Sequence, residues 1–186
     1  MAHPAHIRPE PSEYFEYYEK YVKLVPETDI VKALALQAKQ TAEYLRTLSE
    51  SDGEKRYAPD KWNVKEVIGH IADIERVFQA RALHFARQTP GPLPGIEQDD
   101  WMKVVNFDSR KMEDLREELA AVRQSTLHFF KHLDDKAWMR KGIASEREIS
   151  AHRVVRTGDP PQPRCGPPRE RCLRAHCRCR ELWKSS

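Results

Sequence analysis

The sequence predicts an all-α protein: an up-and-down bundle of four helices whose fourth member is truncated or replaced. Three observations predict it. Apolar residues recur at steps of three and four over three long stretches, the period of a helix with one buried face. Proline and glycine clusters separate those stretches. Near residue 152 the pattern stops, and Arg, Pro and Cys take over.

The elements follow in order. Ser12 to Val25 is rich in Tyr and Phe and reads as a short docking helix, interrupted by Pro26. A first long helix follows Thr28, with Ile30, Leu34, Ala38, Thr41, Leu45 and Leu48 on one face, and Ser51-Asp52-Gly53 ends it. The second has the clearest start: Asn63 is a good N-cap and Glu66, three residues on, completes a variant capping box. It runs to about Arg87, with Val64, Val67, Ile68, Ile71, Ile74, Val77 and Phe78 as its apolar face. Thr89 to Gly95 holds three prolines and two glycines and excludes a helix. A third helix begins near Ser109 and carries Met112, Leu115, Leu119, Val122, Thr126, Phe129 and Leu133, a stripe suited to antiparallel packing. A fourth starts around Ser150 and stops at Gly158-Asp159-Pro160-Pro161. Three helices without a full fourth should expose a groove along Ile71, Ile74, Leu119 and Val122, which favours self-association, a homodimer being the simplest form.

Charge divides the chain at the same place. Residues 153–186 carry nine Lys/Arg against three Asp/Glu, so the net +3 of the whole hides a tail of +6 and a body of −3. The organisation is therefore a helical domain over residues 1–151 and a basic Pro/Arg/Cys-rich tail over 152–186, expected to be disordered. A basic tail can hold nucleic acid non-specifically, but one Trp and no helical stripe give no basis for specific binding. No apolar run reaches the ~18 residues of a membrane span, and residues 1–21 lack a basic stretch followed by a hydrophobic one. All four cysteines lie beyond the break, at 165, 172, 177 and 179; the cysteine-free body fits a cytoplasmic protein.

Several stretches together resemble the DinB-like superfamily of helical bundles, and most closely its YfiT-type metal-dependent hydrolases. The strongest is Arg56-Tyr57-Ala58-Pro59-Asp60-Lys61-Trp62-Asn63-Val64-Lys65-Glu66-Val67-Ile68-Gly69-His70 with Asp73-Ile74-Glu75-Arg76-Val77-Phe78 after it. Pro11-Ser12-Glu13-Tyr14, Tyr21 to Pro26, Arg81 to Arg87 and Pro92 to Asp100 add to it, so the resemblance spans roughly residues 11–151.

The resemblance implies a divalent metal, nickel or zinc, held in the bundle by three histidines. One comes from the second helix, at the position of His70. Two come from the fourth helix, spaced His-x-x-x-His so that both face one way. Three protein ligands leave a position open for water or a thiolate. The activities implied are metal-dependent hydrolysis or transfer of a low-molecular-weight thiol, with a small molecule as substrate. This chain keeps His70 and lacks the pair: past Ala151 its histidines are His152 and His176, far apart. The metal site is thus expected to be incomplete, and a non-catalytic bundle that binds a small ligand or a partner is the alternative.

The tail has three open explanations. A frameshift is one. Proline codons begin CC, so reading one base later around Gly158 to Gln162 permits Glu-Ile-His-His, and around Pro167 to Glu170 permits Leu-Arg-Glu, strings that resemble the family's fourth helix. A divergent natural C-terminus is the second. A cysteine zinc site is the third, although Cys-x6-Cys-x4-Cys-x-Cys is not a paired CxxC arrangement. Elsewhere, His84 lies too far along its helix from His70 to share a metal. His128 and His132 have metal-pair spacing but sit off the apolar stripe, which favours a solvated face. Asp73 can face the same groove as His70; Glu75 points elsewhere. Glu97 to Asp100 are better read as capping a short helix than as a pocket mouth, with Arg76 and Arg81 available to pair with them.

Overall fold

The computed structural model describes residues 3–8, 10, 22, 23, 25 and 27–157. The docking helix expected over Ser12 to Val25 falls almost wholly outside them, as does the tail from residue 158 with its four cysteines.

The bundle is there. Helix α1, Ile30–Arg46, starts where Asp29 accepts the Lys32 N–H. Ser51-Asp52-Gly53 does not simply end it: Glu50–Gly53 forms a one-turn helix, α2, capped by Ser49. Helix α3, Val64–Ala86, begins at Asn63 as expected, with the Asn63 and Glu66 side chains each bonded to the other's backbone N–H. A short α4, Gln98–Val104, is capped by Glu97, which bears out the capping reading of those acids. A 3-10 turn, Phe107–Ser109, precedes α5, Met112–Lys131. Helix α6, Asp135–Met139, leads to strands β1, Lys141–Ala144, and β2, Arg147–Ser150. Helix α7, Ala151–Thr157, is the start of the fourth bundle helix.

Among the described residues, the antiparallel hairpin β1–β2 departs from an all-helical reading. Ser145 and Glu146 both have positive φ, 51° and 64°, as a two-residue turn matched to strand twist requires. The Pro-rich loop is latched to it: the Leu93 N–H donates to the Ile143 carbonyl at 2.8 Å, and the Ser145 N–H to Leu93 at 3.2 Å. Gly142 is needed because a Cβ there would fall on the Phe85 ring.

Two apolar clusters make the core. One, at the N-terminal half of α3, joins Leu45, Ile68, Ile71, Phe107, Met112, Leu115 and Leu119. The other, at the far end, joins Ile30, Ala82, Phe85, Phe130, Trp138, Ile149, Ala151 and Val154. This corrects the expected groove. Ile71, Leu119 and Val122 are buried, because α5 packs on α3 and α1 packs on α5; Ile74 alone of the four is half-buried. Helix α7 carries the fold through Thr157, and His152, which sits in no helical pattern by sequence, is on it and buried. None of the helices described is long and apolar enough to cross a membrane.

Candidate functional site

The N-terminal end of α3 is anchored by several side-chain bonds. Arg56 donates to Glu66 Oε2 at 2.8 Å and to the Lys61 carbonyl at 2.6 Å, and the Asn63 amide donates to Asp108. Buried Lys65 pairs with Glu50 at 2.5 Å. Gly69 allows the Phe107 ring to lie against the helix backbone, where any Cβ would collide with it. These contacts fix the helix two turns before His70. The His70 side chain is buried, and its ring sits 4.8 Å from the Trp62 ring, tilted by 56°.

His70, Ile74, Val77 and Arg81 lie at steps of four, three and four, so they form one stripe along α3. Arg81 is held by the Pro94 carbonyl at 2.7 Å. Ile74 and Val77 are half-buried, whereas Ile71 and Glu75 beside them are buried.

The acids near His70 have other tasks. Arg76 binds Asp73 at 3.2 Å and Glu118 of α5 at 2.5 Å, and Arg110 also reaches Glu118. Burial raises the Asp73 carboxyl above its ordinary range, against the lowering effect of Arg76. Burial acts the same way on Glu118, but the hydrogen bonds from Arg110 and Arg76 outweigh it and hold that carboxyl low. Glu75 does point elsewhere: its Oε1 takes the Arg123 Nε–H at 2.7 Å, and Arg123 Nη1 donates to Gln37 Oε1 at 2.8 Å. This buried tie joins α1, α3 and α5. The sequence shows Arg123 beside an apolar stripe position and Glu75 inside an apolar run, a signal that identifies neither partner.

The remaining histidines are not brought to His70. His84 is fourteen residues on, about 21 Å along the axis. His128 and His132 are exposed, as their place off the stripe predicts. His152 packs edge-on to Trp138 and its Nε2–H donates to the Ile7 carbonyl at 2.6 Å, so it anchors the N-terminal segment. Among the described residues no three His, Cys, Asp or Glu side chains come together as a metal site. A nickel or zinc ion of the kind the resemblance implies needs three protein ligands, and His70 alone does not fit it.

The chain belongs to the DinB superfamily, whose sequence profile matches residues 33–158. Two solved structures are similar. YfiT from Bacillus subtilis, described as a probable metal-dependent hydrolase with an unusual four-helix bundle topology, is 13% identical with a TM-score of 0.56, over 92% of this chain and 87% of that one. A mycothiol-dependent maleylpyruvate isomerase is 12% identical with a TM-score of 0.56, over 68% of this chain and 53% of that one. At such identities the likeness is one of fold. No curated protein matches the chain in sequence.

Proposed function

We propose that this chain has the scaffold of a metal-dependent hydrolase or low-molecular-weight thiol transferase of small molecules, and that His70 is the first ligand of its nickel or zinc site, left incomplete here. The kinds of activity come from the family and from the two neighbours, one described as a metal-dependent hydrolase and one as mycothiol-dependent. The observation that carries the ligand assignment is the position of buried His70 on the α3 stripe whose next members, Ile74 and Val77, are left half-buried. Helix α7 starts beside the C-terminal end of α3, where Ala151 and Val154 share a cluster with Ala82, Phe85 and Ala86. From Ala82 back to His70 is twelve residues, about 18 Å. A fourth helix antiparallel to α3 would need as many residues beyond Val154 to come level with His70. In this sequence that stretch contains Pro160, Pro161 and Pro163 and no histidine. A cytoplasmic setting accords with the cysteine-free body.

The test is metal content. Full-length, tag-free protein dialysed against zinc or nickel is expected to retain far less than one ion per chain, because one imidazole cannot replace three ligands. One tightly held ion per chain that survives replacement of all four tail cysteines would overturn the proposal. The single imidazole also favours a second reading, in which the bundle is non-catalytic and binds a small ligand.

A further inference from the structure

A cleft of about 630 Å³ runs between α1 and α5, away from His70, which does not line it. Its walls are Ala38 and Ala42 from α1 and Leu119 and Leu127 from α5, with Ile71 of α3 at the floor. That size and apolar lining are typical of small-ligand pockets. The alanines matter: on a bundle face where α1 meets α5, larger side chains would close the space.

The charges along it are uneven. Lys39, Arg46, Arg116 and Arg123 line it against two acids, Glu113 and Glu117. Arg123 is neutralised by Glu75. Arg116 is different. It is half-buried, its Nη2–H donates to the Leu48 carbonyl, and it makes no ion pair among the described residues. Its Nε–H is buried without a hydrogen-bond partner there. Its charge is felt by the Glu50 carboxylate, but no acid comes within ion-pair distance of it among the described residues, so the guanidinium keeps donors for an anion, and its planar fork suits a carboxylate. Arg123 lies seven residues along α5, about 10 Å away, and the apolar wall fills the distance between.

We propose that this cleft binds a small amphipathic carboxylate, its head group on Arg116 and its apolar body between Ala42, Ile71 and Leu119. This deepens the non-catalytic binding reading and rests on it; it is independent of the metal assignment for His70. The probes are decanoate and its uncharged counterpart decan-1-ol, titrated calorimetrically into the full-length chain in chelator-treated buffer. Decanoate should bind saturably, at least tenfold tighter than decan-1-ol. Arg116→Gln should remove that preference, and Ala42→Trp, which fills the cleft, should abolish decanoate binding while thermal unfolding shows both variants folded. Equal affinity for the two probes, an unchanged Ala42→Trp variant, or no saturable binding would each overturn the proposal. Because no metal is present, such failure leaves the metal measurement to decide the His70 reading on its own.

Discussion

His70 and Glu75 stand five residues apart on one helix and illustrate what a sequence can and cannot disclose. His70 is conspicuous because the motif around it is local: a capping residue, a Gly and a His within eight positions. Glu75 acquires its role only when Arg123 and Gln37, 48 and 38 residues away in the chain, are brought to it. No periodicity encodes that pairing. Gly69 offers a direct test of the packing beside His70. Gly69→Ala places a methyl group against Phe107 and is expected to destabilise by about 2 kcal/mol, read as a lower denaturant midpoint with an unchanged slope. Glu118 supplies a pH test. Burial raises its pKa, but Arg110 and Arg76 bring it below the ordinary 4.5. A carboxyl lowered in the fold stabilises above its unfolded pKa and loses that contribution as pH falls through the folded one. Glu118→Gln should therefore cost about 1 kcal/mol at pH 7, and the cost should fade as acid takes the solution below pH 4.5. A constant penalty across that range would show that the charge is not what Glu118 contributes.

Among the elements, the long helices are legible and the short pieces are not. Asn63 and Glu66 form a mutual cap, and the stripes of α3 and α5 hold period over twenty residues or more, so local physics and packing agree. The hairpin has no such support. Its strands are four residues each, and its turn is Ser145-Glu146, neither residue a former of positive φ. What holds it is tertiary: the Leu93 bridge on one side and Phe85 against Gly142 on the other. Replacing Ser145-Glu146 with Asn-Gly supplies the residues the turn demands and relieves two strained positions. We expect a gain of about 1 kcal/mol, a rise in Tm on the order of 3 °C, measured by calorimetry. A fall would mean that the turn residues make contacts worth more than the strain.

At the scale of the molecule, the open question is the fourth helix. Helix α7 is seven residues, about 10 Å, against 23 residues, about 34 Å, for α3. It covers Phe85 and Ala82 at one end, while Ile74 and Val77, on the His70 stripe, are left half-buried. Sequence alone overstated the loss: α5 packs on α3 and covers most of Ile71, Leu119 and Val122, with Ile71 and Leu119 still lining the cleft between α1 and α5. It placed the start of the fourth helix correctly, because Val154 follows Ser150 at helical spacing. These facts converge on one experiment. If the tail is out of frame, inserting or deleting one base near codons 150–157 should lengthen α7 and bring a histidine pair level with His70. Full burial of Ile74 and Val77 would then add about 2 kcal/mol, raising Tm on the order of 5 °C before the new helix's own apolar contacts are counted. The repaired chain should hold one nickel or zinc ion, and His70→Ala in that background should release it. If the repaired chain holds the ion equally well without His70, the ligand assignment fails. If repair neither raises Tm nor confers metal binding, the tail as written is the natural one.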